Sequence, residues 1–82
     1  MSPELIVADA FATLLDLEAD SFGGGTLLAE LDGWDSVNAL RVLLYLEREV
    51  GGSLDFERYG SAVTVGEVAD VVAAALGRAV TR

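Results

Sequence analysis

Apolar residues return every three or four positions along several stretches of this chain, and nowhere alternate with a period of two over a useful length. The first such stretch carries Val7, Ala8, Phe11, Leu14 and Leu15, with Glu4, Asp9 and Asp16 lying off that face. Ser2-Pro3-Glu4 opens it with a hydroxyl cap, a proline at the first helical position and an acid in the first turn. The pattern predicts a helix over about residues 3–17, ending near Leu17 or Glu18. A second helix is predicted from Ser36 to Val50, closed by Gly51-Gly52. A short third is expected over about residues 55–60. The last has the clearest start in the chain, because Thr64-Val65-Gly66-Glu67 spells a capping box. Val65, Val68, Ala69, Val72 and Leu76 then share one face, and Gly77 is expected to end the helix, giving about residues 65–76. The expected fold is all-α: one domain over residues 1–82, a four-helix bundle with a long first loop and a short third helix.

That first connection, residues 18–35, is unusual for a small domain. Gly23-Gly24-Gly25 discourages regular structure, yet Phe22, Leu27, Leu28 and Leu31 are too apolar for a free linker. The expectation is a loop pinned to the core by those side chains, with a turn of helix near Leu28. Loops of such length inside compact domains are either functional or a reason to doubt the assignment of elements around them. Asp16 and Asp20 invite a calcium-loop reading, but Ser21 stands where the required glycine belongs and Leu27 where the bidentate glutamate belongs.

The second helix has more apolar surface than one packing face needs. With Ser36 placed at 0°, Val42, Leu46, Ala39, Val50 and Leu43 fall between roughly 240° and 340°. Val37, Leu40 and Leu44 fall between roughly 40° and 100°, on the other side of Ser36. Arg41, Arg48, Tyr45, Asn38 and Glu49 fill the remaining arc. Either the second stripe is wedged against another neighbour, or it is an exposed patch rimmed by Arg41, Glu47 and Arg48, as partner-docking surfaces are built. Ser36 stands at the seam. It is read as the N-cap of the helix, and that helix end is also one at which a phosphate is welcome. Trp34 is either a core anchor or part of the contact surface.

Composition changes the picture mainly by exclusion. The 82 residues contain no cysteine and no histidine, so Ser/His or Cys/His nucleophilic pairs and His- or Cys-based zinc sites cannot be built. No carboxylate pair is set in surroundings that would desolvate one of them, so no catalytic or metal-binding residue is assigned and the chain is not expected to be an enzyme. Fourteen acidic residues against five arginines give a net charge of −9, which disfavours nucleic acid and anionic membranes. No apolar run approaches the roughly 20 residues of a membrane span, and no signal peptide is evident, so a cytoplasmic location is the expectation. Ser2-Pro3 near the start and Arg82 soon after the last helix suit a freestanding protein.

The segment GWDSVNALRVLLYLEREVG resembles the prosthetic-group attachment region of acyl and peptidyl carrier proteins. Asp35 and Ser36 match the first two residues of that family's Asp-Ser-Leu motif, and Val37 replaces the leucine. The likeness extends to the long first loop, Leu46-Glu47, Gly51 and the Thr-Val-x-Glu start of the last helix. It implies an acyl-carrier type of bundle with 4'-phosphopantetheine, taken from coenzyme A by a phosphopantetheinyl transferase, on Ser36, and Asp35 supporting the transfer. It implies a carrier that holds an acyl or aminoacyl group as a thioester on that arm. Polyketide or nonribosomal peptide assembly is the expected setting, with an aminoacyl (peptidyl or D-alanyl-type) carrier as a close alternative. Expected partners are a loading enzyme, such as an adenylating ligase or acyltransferase, and a ketosynthase or condensation-type enzyme downstream. The protein is expected to act as a monomer, docking through Val37, Leu40, Arg41, Leu44, Glu47 and Arg48. Asn38 and Arg41 depart from the family by standing where acids are common. A small acidic helical adaptor with no prosthetic group is the reading from a different class.

Overall fold

Residues 2–80 are described in the computed structural model, and four α-helices account for most of them: α1 Pro3–Leu15, α2 Ser36–Val50, α3 Phe56–Ser61 and α4 Val65–Val80. The first connection holds two 3-10 turns, Ala19–Ser21 and Leu28–Glu30, the second where the sequence predicts a helical turn. α1 packs against both α2 and α4, and α3 lies against α4. No helix among the described residues is long and apolar enough to cross a membrane.

Local chemistry accounts for most helix ends. Ser2 Oγ accepts from the Leu5 N–H and Pro3 occupies the first helical position, as the sequence suggests. α1 stops at Leu15, two residues before the expected end, because Asp16 takes a left-handed conformation at φ 59° and ψ 39°. Aspartate is among the few non-glycine residues that visit this region, so the apolar pattern carries no warning of it. Leu17 still packs on the core from outside the helix. Gly51 closes α2 at φ 77°, its N–H and that of Gly52 both donating to the Glu47 carbonyl. Gly77, expected to terminate α4, instead sits within it, and the helix runs on to Val80. It does not adopt positive φ, so its lower helix propensity is a cost of about 1 kcal/mol rather than a break.

The long loop is tied down at its middle. Leu27 and Thr64 form an isolated antiparallel bridge, with Leu28 N–H donating to the Val63 carbonyl at 2.8 Å and Val65 N–H to the Thr26 carbonyl at 3.0 Å. One step further, Gly66 N–H donates to the Gly24 carbonyl at 2.8 Å. A Cβ on Gly66 would stand 2.9 Å from that same carbonyl oxygen, so glycine is what lets the loop reach α4. The capping box forms as read: Glu67 N–H donates to Thr64 Oγ1, and Glu67 Oε1 accepts from the backbone N–H groups of Val63 and Thr64. Leu28 is buried, while Phe22 and Leu31 are partly so. Leu27 breaks the expectation that it pins the loop, because it is 40% exposed. The bridge holds its backbone, so its side chain need not be buried.

The core forms where the helical faces meet. Phe11, Leu46, Val7, Val42, Val68 and Val72 are its largest fully buried side chains, drawn from α1, α2 and α4. Tyr59 brings α3 into it and donates its hydroxyl to the Ala39 carbonyl, tying α3 to α2.

Candidate functional site

α2 begins differently from the sequence expectation, and the difference matters. The N-cap is Asp35, in extended conformation, whose Oδ1 accepts from the Asn38 N–H at 2.8 Å. Ser36 is therefore the first helical residue and not the cap. Asparagine, aspartate and serine cap about equally well, so the sequence pair Asp35-Ser36 leaves the choice to the backbone. The Ser36 side chain is exposed, and nothing among the described residues hydrogen-bonds to its hydroxyl. That hydroxyl is thus relieved of structural duty at the positive end of a 15-residue helix.

The second apolar stripe resolves in favour of exposure. Val37 is 68% exposed, Leu40 52% and Leu44 58%, while Val42, Leu43 and Leu46 on the other stripe are buried. Hence α2 has one face in the core and a separate apolar strip in solvent, with Ser36 at its N-terminal end. Trp34 takes the anchoring role: it is half-buried and stacks obliquely on Phe11, with ring centroids 5.6 Å apart. Phe22 meets the same Phe11 ring at 5.5 Å, so the long loop is clipped to one core aromatic on either side of its bridge to Thr64.

Asn38 is the residue that sequence reasoning missed. Its Nδ2 donates to the Gly33 carbonyl at 2.6 Å, its backbone N–H to Asp35, and its Oδ1 accepts from Arg41 Nη1 at 2.9 Å. One side chain thus fixes the turn before Ser36, where Gly33 has φ 85°, and the guanidinium one turn beyond it. Its being the only side-chain amide in the chain was the available signal.

The rim residues divide. Arg41 and Arg48 are exposed and, with Leu44, Leu14 and Tyr45, line a shallow groove between α2 and α1. Tyr45 donates its hydroxyl to Asp9, and that hydrogen bond raises its pKa above the ordinary phenol value. Glu47, expected at the rim, is only partly exposed, and its Oε2 accepts from the Leu54 N–H at 2.9 Å, fastening the loop that follows α2. The structure therefore brings Asp35, Ser36, Val37, Leu40 and Leu44 together along one edge of α2, flanked by Arg41 and Arg48, with Glu47 committed elsewhere. No protein-family model matches this chain, and no curated protein matches it.

Proposed function

We propose that the protein is a carrier of acyl-carrier type that bears 4'-phosphopantetheine on Ser36 and presents a tethered acyl or aminoacyl group to partner enzymes. The observation carrying this reading is the exposed, unbonded Ser36 hydroxyl at the start of α2, at the head of an exposed apolar strip. The residues fit the group on physical grounds. An ester at Ser36 Oγ disturbs no hydrogen bond, because Asp35 caps the helix, and its phosphate would meet the positive end of the α2 dipole. The arm supplies a thiol, which the chain lacks entirely, on which acyl groups ride as thioesters.

The chain's own residues hold and present. Asp35 fixes the first turn through one carboxylate oxygen and leaves the other available to a cation during loading. Asn38 and Gly33 fix the approach to Ser36, and Val37, Leu40 and Leu44 give a partner enzyme an apolar strip to seat upon. The chain does no bond-making chemistry itself in this scheme. Polyketide or nonribosomal peptide assembly is the proposed setting, with a transferase, a loading enzyme and a ketosynthase or condensation-type enzyme as partners. The test is intact mass after incubation with coenzyme A, magnesium and a promiscuous phosphopantetheinyl transferase. A gain of one phosphopantetheine group that is absent from Ser36→Ala is expected. No gain in the wild type leaves a helical adaptor built on the same strip.

A further inference from the structure

We infer that the groove of Leu14, Arg41, Leu44, Tyr45 and Arg48 docks a partner-protein segment presenting an apolar side chain between two carboxylates. The groove is formed by α1 and α2 alone, so its choice of partner survives or fails independently of any group on Ser36. Arg41 and Arg48 are seven residues apart, two helical turns or about 10 Å, with exposed Leu44 between them. Asn38 Oδ1 already orients the Arg41 guanidinium, which lowers the entropy lost on binding. In a chain with fourteen acids and five arginines, the only charged side chains lining this groove are two arginines, with Asp9 beside it held by the Tyr45 hydroxyl, so the lining carries a sign opposite to the whole.

Charge selects the occupant. A planar guanidinium matches a carboxylate fork, so each arginine calls for an anion on the partner. Nucleic acid and anionic membranes would offer anions, but a net charge of −9 opposes both at long range. A second copy related by a two-fold axis would set Arg41 and Arg48 against the same arginines, which is repulsive. A protein segment with two local carboxylates, on a partner not itself strongly acidic, meets the local demand without the global penalty.

The test uses three helical peptides with a central leucine and Glu, Gln or Lys three positions before and four positions after it. Binding to the 15N-labelled full-length protein is followed through backbone shifts of residues 41–48, with and without Ser36→Ala. Bulk attraction to a protein of charge −9 favours the Lys peptide, whereas the groove predicts the Glu peptide tighter than the Gln peptide by about fivefold. The Arg41→Gln/Arg48→Gln double variant is expected to lose that preference while keeping its fold, since both side chains are exposed. A Lys peptide binding as tightly as the Glu peptide overturns the inference. So does a Glu preference that persists in the double variant, or concentration-dependent shifts of residues 41–48 without peptide, which would assign the groove to a second copy.

Discussion

Separating the cap from the exposed hydroxyl makes a pair of adjacent substitutions behave in opposite ways. Asp35→Ala removes a 2.8 Å cap bond and a carboxylate at the N-terminus of α2. The lost cap costs about 1 kcal/mol and the lost charge–dipole interaction about 0.3–1 kcal/mol. At about 4–8 °C per kcal/mol for a domain of this size, the midpoint of thermal unfolding should fall by about 5–15 °C. Asp35→Asn keeps a capping oxygen and gives up only the charge, so it should fall by less than half as much. Ser36→Ala removes an exposed hydroxyl with no partner and puts the better helix former at the first helical position, so stability should move by no more than about 0.5 kcal/mol. Thermal and urea unfolding followed by circular dichroism measures all three. A loss in Ser36→Ala as large as that in Asp35→Ala would refute the assignment, because Ser36 would then be the working cap and its esterification would carry a structural cost.

Other perturbations probe the remaining contacts. Gly66→Ala should destabilise by about 1–2 kcal/mol in urea unfolding, since the clash with the Gly24 carbonyl outweighs a propensity gain of about 1 kcal/mol. Gly60→Ala, with open space around it, should be neutral or stabilising, and equal losses at the two sites would count against the loop contact. Both tyrosines should ionise above the ordinary phenol value, Tyr45 through its hydrogen bond to Asp9 and Tyr59 through burial. The folded state then favours the protonated phenols, so stability is fully present below about pH 10 and falls as pH rises past it. Phenolate absorbance should therefore appear at higher pH in the folded than in the urea-unfolded protein, and superimposable curves would contradict both shifts. Leu40→Asp/Leu44→Asp should leave unfolding within about 1 kcal/mol of wild type yet slow transferase loading at least about tenfold; an unchanged rate would remove the strip from that encounter.

What could be read from the sequence was what local rules control. The capping box at Thr64–Glu67 and the glycine closure of α2 depend on spacing alone and are observed, as is the core stripe of α2, where Val42, Leu43 and Leu46 are buried and Ala39 and Val50 partly so. Asp16 in the left-handed region and Gly77 inside α4 escape such rules because each residue type permits two backbone outcomes and spacing does not choose between them. Exposure of Val37, Leu40 and Leu44 could only be posed as a choice, since it depends on where α1, α3 and α4 lie. The Tyr45–Asp9 and Tyr59–Ala39 bonds and the Gly24–Gly66 contact join residues distant in sequence and had no local signature. At the candidate site Asp35, Ser36 and the strip of Val37, Leu40 and Leu44 lie on one edge of α2 as the sequence suggests, but the roles of Asp35, Ser36, Asn38 and Glu47 are redistributed. That redistribution frees the serine.

Proteolysis and fragmentation of the transferase-treated protein asks where the group sits. The peptide spanning Trp34 to Arg41 should carry one phosphopantetheine, with fragment ions placing it on Ser36 and leaving Ser2, Ser21, Ser53 and Ser61 unmodified. Modification at any of those other serines, or an unmodified Trp34–Arg41 peptide from protein that has gained the mass, would contradict a carrier built on the start of α2.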